Sequence, residues 1–371
     1  MRRLATVVAA LGLATAACTA SSGSPADSAS IRRVTSSAAL ANAYATAAPG
    51  STIELDGGTY APKQLHRAAD APTLTSPVVL RATPGATVTV KDLDVNGPML
   101  RIVDLHLTGI VRFRAAATGS SLERSTVDPG NVIVQANRVK VLGNRLKGPP
   151  DRDALDVGAT DGLGPTSVEV RGNLIGPGTL TRGSTAHVDC LQVMSASQLT
   201  VADNLLYDCP AQTMLVKSDL GPVTDVQLLR NVLRSCRPRT DTCPAYMTLQ
   251  IIPGSHAMRS IRVEGNSVAG AIRALPGIQG VSFVANAADR VEDGCSYEWT
   301  ANVIGSSRCT LPGGNRLAEP AWVSPDANPP DLHTAAGSPS VDSGVADMPA
   351  DKDGRSTQCG SAWDAGAFER C

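Results

Sequence analysis

A short strand pattern that ends in asparagine recurs along the middle of the chain. One example is Val263-Glu264-Gly265-Asn266, and the repeated asparagines are Asn144, Asn173, Asn204, Asn231, Asn266 and Asn286. A fixed motif at variable spacing is typical of a solenoid, in which loop insertions emerge on one side of the coils. We expect each asparagine to adopt the left-handed backbone at a bend and its amide to hydrogen-bond to the next coil. A β-sandwich with independent asparagine turns is the alternative, but sandwich strands would not share one consensus.

The N-terminal part of the repeat region predicts a short helix before the first coils. Ser36 and Ser37 precede an apolar run, and Ala48-Pro49-Gly50 ends it. An alternating strand at 51–55 and a Gly-Gly-Thr-Tyr turn follow. This order resembles the N-terminal cap of secreted bacterial right-handed parallel β-helix proteins, the pectate-lyase-like superfamily. The resemblance continues in the apolar strands predicted at 78–82 and 86–90.

The C-terminal residues resemble the D-x-D-G-R … D-x-G-A-[FY]-E ending that is common to the same proteins, here from Asp351 to Glu369. The resemblance implies an all-β chain, a right-handed parallel β-helix with a short N-terminal capping helix and a disulfide-braced C-terminal cap. We place the β-helix at 36–292 and the C-terminal coils and cap at 293–371. Asp351, Asp353 and Gly354 form either a calcium loop or a structural turn, and the partial match favours the turn.

The net charge and the aromatic content limit which partners the protein can bind. The formal net charge is −1, and aromatic residues make up 3% of the chain. A protein that binds nucleic acid by charge carries a basic patch and often stacks bases on aromatic rings, so nucleic acid is excluded as a partner. The low aromatic content suits the narrow interior of a β-helix. We expect a monomer.

The first residues predict export from the cytoplasm. A basic start, Met1-Arg2-Arg3, precedes an apolar run too short for a permanent membrane span, so residues 1–17 are predicted to be a signal peptide. Ala16-Ala17-Cys18 resembles a bacterial lipobox, which implies lipidation of Cys18, a flexible tether at 18–35 and a cell-envelope or extracellular location. Plain secretion after Ala14-Thr15-Ala16 is the alternative.

Eight cysteines remain after Cys18, an even number that predicts four disulfides in an exported protein. Pairing of sequence neighbours is the simplest of the 105 connectivities. The cysteines are Cys190, Cys209, Cys236, Cys243, Cys295, Cys309, Cys359 and Cys371. A zinc site is the alternative, but neither CxxC nor HxxxH spacing occurs.

The segment around His187 is the candidate site. In a strand, His187 and Asp189 would project from one face, toward solvent if Val188 and Cys190 point inward, and Gln192 is expected to join them. Neighbouring coils place equivalent side chains about 4.8 Å apart. Residues 153–157 and 212–216 match 189–193 in repeat phase. The predicted cluster contains His187, Asp189, Gln192, Asp153, Asp156, Gln212 and Lys217, with Arg152 and Arg182 in nearby loops.

The resemblance implies a polysaccharide substrate, and the cluster suggests a uronate lyase or C5-epimerase. His187 would remove the C5 proton, oriented by Asp189. Lys217, an arginine, or calcium held by Asp153, Asp156 and Asp189 would neutralise the substrate carboxylate. A glycoside hydrolase that uses Asp153 or Asp156 together with Asp189, with His187 as a helper, is an alternative, although the Asp-Asp and Gly-His-Gly motifs of β-helix polygalacturonases are absent. A surface lipoprotein that only binds glycans is another.

Overall fold

The computed structural model describes residues 30–371 except 159–161, 163, 246 and 346–349. The predicted signal peptide, the predicted lipidation site Cys18 and the predicted tether up to residue 29 lie outside the described residues. Residues 31–34, assigned by the sequence to the end of the tether, instead form the first strand, because they pair with residues 52–55 along the first coil. No helix in the described part of the chain is long and apolar enough to cross a membrane.

The single helix of the described residues is α1 (Ser37–Ala45), capped as predicted by Ser36, whose hydroxyl accepts a hydrogen bond from the backbone N–H of Ala39. The strands are β1 (Ile31–Val34), β2 (Thr52–Leu55), β3 (Gly58–Tyr60), β4 (Leu65–His66), β5 (Val78–Ala82), β6 (Val88–Asn96), β7 (Leu100–Val103), β8 (His106–Phe113), β9 (Ser121–Glu123), β10 (Thr126–Val134), β11 (Lys140–Leu142), β12 (Arg145–Leu146), β13 (Leu155–Val157), β14 (Glu169–Arg171), β15 (Leu174–Ile175) and β16 (Leu191–Val193). They continue with β17 (Ala196–Ala202), β18 (Leu205–Tyr207), β19 (Met214–Lys217), β20 (Val223–Leu229), β21 (Val232–Arg234), β22 (Met247–Ile252), β23 (Met258–Glu264), β24 (Ser267–Ala274), β25 (Gln279–Val284), β26 (Ala287–Asp293), β27 (Glu298–Thr300), β28 (Val303–Ser307), β29 (Arg316–Leu317), β30 (Trp322–Ser324) and β31 (Asp331–Thr334).

Strands pair with the equivalent strand of the next coil. One sheet of the described residues has twelve strands in the order β1-β2-β5-β7-β9-β11-β14-β17-β20-β23-β25-β27, and the other strands up to β29 form the second sheet. Every pairing between these strands is parallel, while β30 and β31 form a separate antiparallel pair. The molecule is therefore a parallel β-helix, as predicted, with stacked Val, Ile and Leu side chains in its interior.

The asparagine ladder joins the coils as predicted. For example, Asn204 Nδ2 donates to Asn231 Oδ1 at 2.9 Å and to Val170 O at 2.9 Å. The prediction that the asparagines themselves take the left-handed backbone was wrong. The residue before each asparagine does so, as at Asp203 (φ 59°) and Ala285 (φ 50°), which frees the buried asparagine amide to face the next coil. The ladder also continues beyond Asn286 to Asn302 and Asn315, where the sequence pattern had become too weak to recognise.

The C-terminal segment packs along the flank of the coils. Ala367 and Phe368 contact Val232 and Ala269, which point outward from the second sheet, and Ala367 N donates to Ser267 Oγ at 2.9 Å. The outward-facing Val232 and Ala269 are apolar, so the C-terminal segment buries surface that would otherwise be exposed to water. Asp351 accepts hydrogen bonds from the backbone N–H groups of Arg355 and Glu369, so the D-x-D-G-R motif forms the predicted structural turn.

The eight cysteines form the four predicted disulfides between sequence neighbours. The pairs are Cys190–Cys209, Cys236–Cys243, Cys295–Cys309 and Cys359–Cys371. The pairs match the sequence prediction because each joins cysteines that are 7 to 19 residues apart, three of them within or between neighbouring coils and the fourth within the C-terminal segment. Four disulfides fit an oxidising compartment.

Candidate active site

The candidate site lies where four successive coils insert loops between the two short strands of the second sheet. These loops span 147–154, 176–190, 208–213 and 235–245, and they lead to β13, β16, β19 and β22. Because these four strands pair in parallel, the last residues of the loops are stacked from coil to coil. The cluster predicted from the sequence occupies this edge, which we call the loop edge.

The predicted repeat phase is confirmed by the strand register. Leu155 pairs with Leu191, which pairs with Met214, and Asp156 pairs with Gln192. The residues just before these strands follow the same order, as the Ala154 N–H donates to Asp189 O at 3.2 Å. Asp153, Asp189 and Gln212 therefore lie on three consecutive coils.

Asp189 and His187 meet, but on a loop that precedes β16 and not in a strand. His187 Nδ1 lies 3.2 Å from Asp189 Oδ2, with side-chain exposures of 51% and 0%, respectively. The expectation that both side chains point to solvent was wrong for Asp189. Its carboxylate turns inward because Oδ1 accepts a hydrogen bond from the backbone N–H of Gln212 at 2.8 Å, and Oδ2 accepts one from Gln192 Nε2 at 3.3 Å.

The two groups shift each other's pKa. The hydrogen bond to Asp189 raises the pKa of His187 above its usual value, and this outweighs the opposing effects of burial and of the Lys217 charge. Burial raises the pKa of Asp189, against the lowering effect of His187. Nε2 of His187 has no hydrogen-bond partner in the described residues. His333, by contrast, has both ring nitrogens against carboxylates, Asp331 and Asp353.

Asp153 and Asp156 form a pair of carboxyl groups next to the His187–Asp189 pair. Asp153 Oδ1 accepts a hydrogen bond from the Asp189 N–H at 2.6 Å, and Asp156 Oδ2 accepts one from Asn131 Nδ2 at 2.9 Å. Burial, followed by the neighbouring charges of Asp156 and Asp189, raises the pKa of Asp153 to about 9. Burial also raises the pKa of Asp156. Because the pKa of both groups is raised, the pair favours one proton shared between the two carboxyl groups.

Asn131 is a member of the site that the sequence did not single out. It is 4% exposed, and its amide donates both to Asp156 and to the backbone oxygen of Asp153 at 2.9 Å. The preceding coil brings it there, since Val132 pairs with Leu155. The repeat phase could have shown this, had it been extended one coil further toward the N-terminus.

The three cations predicted for the site, Lys217, Arg152 and Arg182, differ in whether a carboxylate already binds them. Lys217 Nζ lies 2.6 Å from Asp219 Oδ2, so its charge is already paired. Arg152 and Arg182 are exposed, and neither forms an ion pair with the described residues. Their loops are joined where Thr181 N donates to Asp151 Oδ1 at 2.9 Å. The charge of Arg152 lies near enough to Asp156 to oppose the rise in pKa that burial causes there, and the contact with Asp151 brings the loop of Arg182 beside that of Arg152.

Calcium is one of three groups that the sequence offered as partner of the substrate carboxylate, and that possibility stays a prediction. Calcium takes six to eight oxygen ligands, whereas oxygens of Asp153, Asp156 and Asp189 already accept hydrogen bonds from protein N–H groups. Across the described residues, no group of three or more His, Cys, Asp or Glu side chains is arranged to hold a metal ion.

The Cys190–Cys209 disulfide lies directly beneath this cluster. Cys190 follows Asp189 and precedes β16, while Cys209 belongs to the loop that leads to Gln212. Both sulfur atoms are fully buried. The bond therefore fixes the two loops that carry Asp189 and its hydrogen-bond donor Gln212.

Fold and site together define an all-β parallel β-helix protein with a histidine–carboxylate cluster on one edge. No protein-family model and no curated protein sequence matches the chain. Among solved structures it is similar to pectate lyase Pel9A (13% identity, TM-score 0.49, 93% of this chain and 97% of that one). It is similar also to the PL6 family alginate lyase AlyGC (14% identity, TM-score 0.47, 83% of this chain and 56% of that one). A further similar structure is the A-module of the Azotobacter vinelandii mannuronan C-5 epimerase AlgE6 (14% identity, TM-score 0.42, 78% of this chain and 89% of that one). No inference about activity rests on likenesses of this size.

Proposed function

We propose that this protein is an exported enzyme that acts on an acidic, uronate-containing polysaccharide by removing the C5 proton of a uronate residue, as a lyase or a C5-epimerase. The observation that carries the proposal is the pairing of the exposed His187 with the buried Asp189. Asp189 holds Nδ1 and raises the pKa of the ring, which leaves Nε2 as a base on the loop edge.

The substrate carboxylate needs a positive partner, because its charge opposes the formation of a carbanion at C5. Arg152 and Arg182 are suited to this role, since both are exposed and without an ion pair in the described residues. Lys217 is a weaker candidate because Asp219 already holds its ammonium group. Arginine also binds a carboxylate through two parallel hydrogen bonds, which fixes its orientation.

Asp153 supplies the second proton-transfer group. It shares a proton with Asp156 and lies one coil from Asp189, a separation of about 4.8 Å. In elimination, His187 takes the C5 proton, the C4–C5 double bond forms as the C4–O4 bond breaks, and Asp153 donates its proton to O4. In epimerisation, C5 instead receives a proton on the opposite face. Gln192 and Gln212 would hydrogen-bond to the sugar hydroxyls.

A glycoside hydrolase is the second candidate function, and the Asp153 and Asp156 carboxyl groups, which share a hydrogen bond, cannot serve by themselves as its two carboxyl groups. Hydrolases hold their two carboxyl groups about 5–5.5 Å or about 6.5–9.5 Å apart. Two carboxyl groups that share a hydrogen bond are closer than either arrangement. A glycoside-hydrolase mechanism would therefore have to use Asp189 as one carboxyl group and Asp153 or Asp156 as the other.

A panel of uronate polymers tests the proposal. Elimination produces a conjugated double bond with ultraviolet absorbance, epimerisation changes the C5 signal in NMR without cleavage, and hydrolysis releases reducing ends without absorbance. We expect the first or second result, with a loss of about 10²–10⁴-fold in His187→Ala. His256→Ala is the control, since His256 is exposed outside the cluster. Reducing ends alone would favour a hydrolase, and binding without turnover would favour a glycan-binding surface protein.

We further propose that the protein is a monomeric lipoprotein anchored through Cys18, in line with the four disulfides. Metabolic labelling with a clickable fatty acid should mark the wild-type protein and not Cys18→Ser. Equal labelling of both would contradict the anchor, and secretion of unlabelled wild type would favour the plain signal peptide.

A further inference from the structure

A pocket of about 300 Å³ opens beside the carboxyl cluster on the loop edge. Its apolar walls are Pro210, Ala211, Pro244, Ala245 and Met247. Gln212 forms the wall that it shares with the cluster, since the Gln212 N–H donates to Asp189 Oδ1 at 2.8 Å. The volume lies at the lower end of the range of about 300–1,000 Å³ for small-ligand sites, so the pocket is suited to one sugar unit or its substituent.

Two glutamine side chains that line this pocket have amide atoms without partners. Gln250 is only 6% exposed, and its side chain makes no hydrogen bond to the residues that the structure describes. Gln212 Oε1 is buried and equally without a partner among them. Leaving the buried Gln212 oxygen unsatisfied costs free energy, and the amide of Gln250 faces the pocket without a hydrogen-bond partner in the described part of the chain. A ligand that supplies the missing hydrogen bonds would remove this cost.

The chemistry of the walls identifies that ligand. Among the described residues no charged side chain lines the pocket, so a carboxylate or sulfate group would lose its hydration without gaining an ionic partner there. An acetamido group has an N–H donor and a carbonyl acceptor for the two glutamine amides, and a methyl group for the apolar wall at Met247. We propose that this pocket binds the N-acetyl group of an amino sugar.

The pocket lies close enough to His187 to bind a sugar of the same polysaccharide chain. Leu191, Met214 and Leu249 pair on three consecutive coils, which places Gln250 about 10 Å along the helix from the coil of Asp189 and Gln212 about 5 Å away. A sugar adjacent to the uronate at His187 would reach the pocket. This inference rests on the proposed function and narrows it to a polysaccharide in which the uronate has an N-acetylated neighbour.

Binding measurements on the His187→Ala protein test the inference without turnover. The probes are an oligosaccharide of alternating glucuronate and N-acetylglucosamine and a glucuronate-only oligosaccharide of equal length. We expect the alternating probe to bind at least about tenfold more tightly, the equivalent of one good hydrogen bond. Saturation-transfer NMR should show the acetyl methyl protons in contact with protein. Gln250→Leu should abolish the preference, whereas Gln227→Leu, at an exposed position of β20, should keep it.

Ala211→Leu provides a second test at a half-buried position of the pocket wall, in case Gln250→Leu does not fold. The larger side chain should reduce binding of the alternating probe and leave the glucuronate-only probe unchanged. Equal affinity for the two probes, or no contact of the acetyl methyl group, would overturn the inference while the proposed function stands. Failure of the protein to bind either probe or any other uronate polymer would overturn both.

Discussion

Nδ1 of His187 lies 3.2 Å from Oδ2 of Asp189, with the imidazole half exposed and the carboxylate fully buried. The burial of Asp189 is made tolerable by the N–H of Gln212 and the amide of Gln192, which hydrogen-bond to its oxygens. The carboxylate is thereby fixed, and the ring that it holds is fixed with it. Among the described histidines, His333 has a comparable pair of contacts, but both its nitrogens are occupied.

Asp189→Asn should move the acidic limb of the pH–rate profile to lower pH. A base must be neutral to act, so activity rises as pH increases through the pKa of His187, which the hydrogen bond to Asp189 raises above its usual value. Removing that bond lowers the pKa. The maximal rate should also fall, by no more than the roughly 10²–10⁴-fold that a positioned base contributes.

The matched control is Asp331→Asn, which removes one of the two carboxylate partners of His333 in the C-terminal segment. It should leave the profile unchanged. An unshifted acidic limb in Asp189→Asn would show that His187 is not the group that titrates.

Asp153→Asn should make stability less dependent on pH. Burial raises the pKa of Asp153 to about 9, so the folded protein binds a proton that the unfolded chain releases near pH 4. The contribution of this proton to the free energy of unfolding is complete below pH 4. It is lost as pH rises toward 9, and the free energy of unfolding falls by up to about 1.4 kcal/mol per pH unit. Chemical denaturation at several pH values measures this slope. Asp70→Asn, on an exposed loop, should retain the wild-type slope, and a wild-type slope in Asp153→Asn would contradict the shared proton.

Replacing Cys190 and Cys209 by serine should lower both stability and activity. The bond closes a loop with a sequence separation of 19 residues, for which loss of the cross-link costs about 3 kcal/mol in the chain-entropy account. Because Asp189 adjoins Cys190, the remaining folded protein should also turn over substrate more slowly. The Cys359/Cys371 double variant, with a separation of 12, is the control and should lose stability but keep its rate per folded molecule. Equal rates in both variants would show that the first bond does not position the site.

Asn204→Ala should destabilise the coils from the middle of the ladder. Its amide donates to Val170 O and Asn231 Oδ1, and its oxygen accepts from Asn173 N, so the change leaves several buried groups unsatisfied. We expect a loss of at least about 1–3 kcal/mol in the free energy of unfolding, the cost of a single such group. Asn315→Ala, at the half-buried end of the ladder, should cost less because water reaches the groups left behind. Equal losses at the two positions would argue against cooperation along the ladder.

Much of the fold could be predicted because local patterns repeat in a solenoid. The spacing of Asn173, Asn204 and Asn231 identified the coils, and the phase match between 153–157 and 189–193 placed Asp156 opposite Gln192, as the register confirms. The cysteines of the coils paired with their sequence neighbours because residues close in sequence within a coil are also close in space. Each of these predictions depends on contacts between one coil and the next, which a repeat carries in its own sequence.

The sequence by itself determined the parallel β-helix, the stacking of the aspartates and the meeting of His187 with Asp189. The tertiary structure decided which of these groups is buried. Alternation of side chains holds in strands, but His187 and Asp189 lie on a loop, where direction is set by distant donors such as the N–H of Gln212. For the same reason only the structure showed the amide of Asn131 on Asp156 and the packing of Phe368 along the coils. These contacts join separate loops and segments whose paths no single repeat encodes.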